Sequence, residues 1–254
     1  MNWLRCALSS SVGKKFLMAI TGLLLCGFLV VHLAGNLLLY AGAEAYNAYA
    51  HKLHDNEDLL HVAETGLALI FFTHLYLAFK LSAENRIARG RGYAENQSKR
   101  QDLISKVRPE SWMLATGLGL LAYMILHLAD FTLEFRDTSH YEGLAPFDKA
   151  VSLLNDPISI IGYLVGFAFL FAHLSHGISS AFQSLGLNHP KYNAVIKWSG
   201  LAFALGLGVS GMTDANKVIG FLNLAGDWDP SLAFVIVGAI SVHLLLFRFI
   251  LRRQ

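Results

Sequence analysis

Eleven histidines stand in a chain of 254 residues that is 54% hydrophobic and only 15% charged. Imidazole can bind a metal, relay a proton or hydrogen-bond a neighbour, and in apolar surroundings it needs such a partner to offset its polarity. His32, His74, His127 and His173 each lie deep inside a separate long apolar run. His51, His54, His140 and His189 fall between runs, His61 sits near a run's end, and His243 stands alone inside the last. His176 follows His173 by one helical turn, and spacing leaves either of the two eligible for the same role. Imidazoles facing each other in pairs across an apolar gap offer what the iron of a b-type haem takes as axial ligands.

The elements that must position these residues are helices that cross a bilayer. A spanning helix needs about 20 apolar residues. Six runs qualify, at 16–41, 59–80, 112–134, 158–182, 197–213 and 231–251. The fifth is short and carries Gly200, Gly206, Gly208 and Gly211. The first is too long for a signal peptide and lacks a small-residue cleavage motif, so it is expected to remain as a helix. The expected fold is an all-α integral membrane protein, a transmembrane helix bundle forming a single domain over 1–254. Within it, 16–182 makes a four-helix haem-binding core and 195–254 the C-terminal helices. So few charges exclude a water-covered domain, a disordered chain and a nucleic-acid binder. Cys6 and Cys26 stand too far apart for a disulfide scaffold, a CxxC zinc site or covalent CxxCH haem attachment. No internal repeat is evident.

With the segments between runs assigned alternately to two sides, the side holding both termini receives all but four of the 20 Lys and Arg residues. The other side holds Lys52, Arg136, Lys149 and Lys217, together with most of the acids. That bias places the N- and C-termini in the cytoplasm of a multi-pass protein and requires an even number of spans. The 82–111 segment is the main cytoplasmic feature, basic and polar, suited to a soluble partner or to anionic membrane lipid.

The rise of about 1.5 Å per helical residue converts position into depth. His32 and His127 lie about 24 and 22 Å from the cytoplasmic edge of their helices. His74 and His173 lie about 22 Å from the opposite edge, because their helices run the other way. In a core about 30 Å thick this sorts the four into an outer pair, His32 and His127, and an inner pair, His74 and His173, about 15 Å apart. Two pairs at matched depth, on different helices, fit bis-imidazole ligation of two haems b. Small residues are needed to admit the rings, and Gly22, Gly27, Gly35, Gly117, Gly119, Gly166 and Gly177 are available.

Several stretches carry a resemblance: S-S-V-G-K-K (10–15), V-V-H-L-A-G-N-L (30–37), G-A-E-A-Y-N (42–47), E-T-G-L-A-L-I-F-F-T-H (64–74) and H-L-S-H-G-I-S-S-A-F-Q-S-L-G (173–186). Over roughly residues 10–213 the sequence resembles the dihaem cytochrome b membrane-anchor subunits of succinate dehydrogenase and fumarate reductase, the b558 family. The resemblance implies that the ligands are His32, His74, His127 and His173. The family's fourth ligand precedes a Gly by four residues, as His173 precedes Gly177, and this favours His173 over His176. The family bundle has five helices, so 231–251 would be a sixth, C-terminal span, free to pack beside the bundle, against another copy of the chain in a higher oligomer, or against a small further subunit.

The resemblance further implies a division of labour. Dicarboxylate chemistry belongs to a flavoprotein subunit, and an iron–sulfur subunit relays electrons to the anchor. The anchor holds two haems b and exchanges electrons with a membrane quinone, menaquinone rather than ubiquinone, in the bacterial cytoplasmic (inner) membrane. No Rossmann glycine pattern, P-loop or Cys cluster argues otherwise, and no nucleic-acid partner is expected. Quinone chemistry also needs protons. Glu64 lies just inside the outer end of the second run, Asp130 follows His127 by three residues, and Asn36 follows His32 by four, which makes these three the candidates for quinone binding or proton exchange. Lys80, Arg86 and Ser175 are available to propionates at the inner level. The alternative is the cytochrome b subunit of another quinone-linked respiratory enzyme, of the hydrogenase or formate dehydrogenase type. One His on each of four helices points away from it.

Overall fold

Helix starts are set by local chemistry. Ser10 Oγ accepts a hydrogen bond from the Gly13 N–H at 3.0 Å, and an Asp156 carboxylate oxygen accepts from the Ser159 N–H at 2.9 Å. Each satisfies a first-turn amide that has no partner within its own helix. The computed structural model describes residues 2–89, 109–133, 143–187 and 189–209. The elements are α1 (Asn2–Ser9), α2 (Ser11–Asn36), a 3₁₀ turn (Leu37–Ala41), α3 (Ala43–His54), α4 (Glu57–Arg89), α5 (Pro109–Phe131), α6 (Pro146–Asn155), α7 (Pro157–Ser184) and α8 (Pro190–Val209).

The protein is an all-α membrane helix bundle. Four helical stretches are long and apolar enough to cross a bilayer, Ser11–Ala41, Glu57–Ala88, Trp112–Phe131 and Pro157–Ser184. They turn apolar side chains outward: Val31, Phe72, Ile125 and Ile161 are 65, 64, 63 and 64% exposed. Such a surface is stable against lipid, not water. These spans coincide with the first four apolar runs. The fifth run begins earlier than hydropathy indicates, as α8, which starts at Pro190. The expected span 231–251, with His243, lies outside the described residues, as do His140 and residues 90–108 of the basic segment.

The bundle is two helix pairs. α2 packs on α4, α5 on α7, and α2 also crosses to α7, whereas α4 and α5 touch only lightly. The α5–α7 seam is close because glycine faces bulk. A methyl added at Gly119 would lie 2.6 Å from the Phe169 ring, one at Gly162 would lie 2.6 Å from Leu126, and Gly166 lies under the Tyr123 ring. Helices in a bilayer gain no hydrophobic drive from pairing, so such fitted contacts carry the association. α8 closes the far side of α7, where Leu174, Ile178 and Ala204 form a buried cluster flanked by Cys26, Leu29 and Leu33 of α2.

Two short helices replace what hydropathy reads as plain loops. α3, which carries His51 and His54, follows Gly42, whose φ of +98° reverses the chain at a cost that a residue with a Cβ would feel. α6 starts with Pro146 at its first turn and buries Ala150 and Leu153. α3 and α6 pack against each other, and the Asn47 side-chain oxygen accepts from the Phe147 N–H at 2.9 Å. Together they cap the end of the bundle opposite the N-terminus.

Candidate functional site

Between the two helix pairs, where α4 and α5 barely meet, lies an open cavity of about 3380 Å³. His32, His74, His127 and His173 all line it. One end is bordered by Lys15, Ser82, Asn85 and Arg86, and the other by Asn36, Tyr40, Tyr46 and Glu64.

Contacts fix the two levels independently of any assumed membrane edge. The His74 ring lies against Gly22, and the His173 ring against Gly117. His32 follows Gly22 by ten residues, and His127 follows Gly117 by ten. Both helices therefore put the second pair about 15 Å farther along.

At the outer level the rings of His32 and His127 stand 5.8 Å apart, centre to centre, with planes at 89°. An imidazole nitrogen binds a metal at about 2 Å, so two rings sharing one ion have centres about 6 Å apart. Phe28 stacks on His32 at 5.3 Å, and Phe131 lies 5.3 Å from His127. The Tyr163 hydroxyl meets His127 Nδ1 at 3.1 Å, and Tyr163 is 7% exposed.

At the inner level two hydroxyls do the corresponding work. Thr21 Oγ1 lies 3.1 Å from His74 Nδ1, and Thr116 Oγ1 lies 3.1 Å from His173 Nδ1. Each hydroxyl donates back to its own helix, Thr21 to the Leu17 and Met18 carbonyls and Thr116 to those of Trp112 and Met113. A hydroxyl whose proton goes to its own helix accepts at its other contact, which suits a protonated Nδ1 and an Nε2 that keeps its lone pair.

The donor set is pairs. Among the described residues no group of three or more His, Cys, Asp or Glu side chains comes together as a metal site. Two imidazoles leave most of an ion's coordination positions to be filled from elsewhere, and a haem would supply the rest. The residues present fit haem b: imidazoles paired at the outer level, His74 and His173 lining the same cavity at the inner level, and glycine where two rings press on the neighbouring helix.

The glycines divide by role. Gly22, Gly117 and Gly177 line the cavity. Gly119 and Gly166 serve the α5–α7 seam, and Gly35 is covered by Tyr49, so these three do not admit a ring. Gly27 has nothing within 4 Å of an added methyl. Of the two neighbouring histidines on α7, His173 lines the cavity, whereas His176 lies a turn on and its carbonyl accepts from Ser179 Oγ at 3.0 Å. Ser175 Oγ turns to the Ala172 carbonyl at 2.9 Å. Lys80 sits 3.8 Å from Glu84, which also pairs with Lys14. Arg86 remains at the inner mouth.

Of the three quinone or proton candidates, Asn36 and Glu64 border the outer end of the cavity. Glu64 is exposed and lies 3.5 Å from His61. Asp130 is the opposite case, 1% exposed, on the turn that follows His127. Tyr46 and Tyr49 of α3 join this end. Burial, with Tyr49 beside it, pushes the Tyr46 phenol above its usual value of 10, so it is a neutral hydrogen-bond donor at physiological pH.

The structure also reveals a repeat. Met18–x–x–Thr21–Gly22–Leu23 with His32–Leu33–Ala34 on α2 returns as Met113–x–x–Thr116–Gly117–Leu118 with His127–Leu128–Ala129 on α5. In each, the threonine meets a His–Leu on the helix that packs beside it, His74–Leu75 or His173–Leu174.

Residues 193–254 match a family described only as a family of unknown function, DUF6691; the match covers less than half of the chain. No curated protein matches the chain, and no solved structure does.

Proposed function

We propose that this chain is a dihaem cytochrome b, the membrane anchor of a succinate:quinone oxidoreductase, passing electrons between an iron–sulfur subunit and a membrane quinone. The observation that carries the reading is the pairing of four histidines at two levels of one cavity, with the outer pair 5.8 Å apart. His32 and His127 would hold the outer haem, and His74 and His173 the inner one. Bound haem supplies reversible one-electron chemistry at each level.

The chain's own residues would do the rest. Thr21, Thr116 and Tyr163 orient three of the four imidazoles. Phe28, Tyr123 and Phe131 keep water from the outer pair. Lys15 and Arg86, at the inner mouth, suit propionate carboxylates. The same basic end is the natural seat for the iron–sulfur and flavoprotein subunits, on the cytoplasmic side of a bacterial inner membrane. At the other end Asn36 and Tyr46 can hydrogen-bond a quinone, with menaquinone the expected species, and Glu64 can exchange protons with water. Charge moved between the two levels crosses part of the bilayer, and a full crossing is worth about 2.3 kcal/mol per charge per 100 mV. Succinate or fumarate chemistry itself belongs to the flavoprotein.

The test is a dithionite-reduced visible spectrum with a pyridine haemochrome assay on the purified chain. Two haems b per chain are expected. A colourless, folded preparation would overturn the proposal, and a single haem would break the pairing.

A further inference from the structure

The two halves of the bundle solve one problem in the same way. On α2 and on α5 a threonine donates its only proton to carbonyls of its own helix and turns a lone pair to the imidazole of the adjacent helix. The glycine that follows each threonine lets the ring lie flat on the helix: an added methyl would stand 3.2 Å from His74 Cε1 at Gly22 and 3.5 Å from His173 Cε1 at Gly117. At Gly22 that is tight enough to push the ring, and at Gly117 it is ordinary contact.

We propose that Thr21 and Thr116 are positioning residues that lock His74 and His173 as Nδ1–H tautomers, each with the Nε2 lone pair kept for a ligand. In water a neutral imidazole can carry its proton on either nitrogen. Here one hydroxyl at each ring, 3.1 Å from Nδ1, selects that nitrogen for the proton before any ligand arrives. The outer level is built differently. His127 meets a phenol from α7, and His32 is steadied by stacking on Phe28. The inner level is thus the matched one, with the same device delivered by both halves.

The consequence for a bound metal rests on the reading of His74 and His173 as haem ligands. A hydrogen bond from Nδ1–H raises the basicity of Nε2 and favours the oxidised metal. Its loss should raise the midpoint potential of the inner haem and leave the outer one in place. Loss of such a supporting contact commonly weakens metal binding by about 10- to 100-fold.

Two measurements on the full-length chain in lipid nanodiscs test this. The first is ¹⁵N NMR of histidine-labelled protein before haem is added. Wild type should show two apolar-site imidazoles protonated at Nδ1. Thr21→Val should move one of them toward Nε2–H, Thr116→Val the other, and Thr21→Ser neither. The second is a redox titration with a haem-release assay on the loaded protein. Each valine variant should raise only the inner midpoint and speed inner haem loss by about 10- to 100-fold, with serine restoring both. Wild-type rings protonated at Nε2, or valine variants with unchanged tautomers, would overturn the proposal. The first measurement needs no bound haem. A colourless protein with the predicted tautomers would therefore sink the cytochrome reading and leave the roles of Thr21 and Thr116 standing.

Discussion

Removing one imidazole should empty one level and spare the other. His127 sits among Tyr123, Phe131 and Tyr163, with ring centres at 6.0, 5.3 and 5.9 Å. Cutting it to alanine would leave a ring-sized hole, a loss that costs about 3–5 kcal/mol for a buried aromatic. Leucine fills most of that volume and so avoids the hole, at the cost of the Tyr163 contact. His127→Leu is therefore the cleaner perturbation. The inner imidazoles stand ten residues back along α2 and α5, at Gly22 and Gly117, which is about 15 Å from the change. Their supports, Thr21 and Thr116, meet His74 and His173 on the turns beside Gly22 and Gly117. The expected outcome is a fall from two haems b to one per chain, with the remaining signal belonging to the inner site. The assay is the pyridine haemochrome ratio to protein, read beside a thermal melt and a redox titration. A folded His127→Leu protein that keeps both haems, or one that loses the inner haem instead, would refute the assignment of levels.

The remaining predictions are narrower. His176→Ala should keep two haems and an unchanged Soret band, because His173 is the one that lines the cavity; loss of a haem would move the ligand one turn along α7. Gly119→Ala places a methyl 2.6 Å from Phe169, roughly 1 Å short of normal contact. Overpacking of that size should lower stability by about 1–3 kcal/mol, seen as a lower melting temperature. Gly27→Ala, inside α2 with open space around it, should raise stability by about 0.4–1 kcal/mol, seen as a higher melting temperature.

The four spans were legible because twenty-residue apolar runs have few alternatives, and the rise per residue then gives depth. Pairing of His32 with His127 follows from depth alone, and the structure brings those two rings together. What hydropathy passes over is α3 and α6. Each is shorter than a span and faces the bundle on one side only, so a long window averages it into a loop. The choice between His173 and His176 was also beyond spacing, since residues three apart share a helical face until a neighbouring helix fixes its rotation. Thr21 and Thr116 are single hydroxyls in long apolar runs, and hydropathy and His spacing do not set them apart. Their signal was the recurrence of M-x-x-T-G-L with H-L-A on α2 and α5. It is masked as a repeat because α4 and α7 share little beyond His–Leu.

That recurrence explains why the pairs form as they do. Within a half, the threonine of one helix steadies the histidine of the next, α2 to α4 and α5 to α7. Across halves, the histidine of α2 faces that of α5, and those of α4 and α7 line the same cavity. Support is thus local to each half, while each pair is shared between halves. A half could fold its own Thr–His contact, but it holds only one imidazole at each level. Two imidazoles come to each level only when α2 and α7 dock and α4 and α5 stay apart. The sparse α4–α5 contact is then a requirement of the site: were those helices to close on each other as α5 closes on α7, the paired imidazoles would have no gap between them to share.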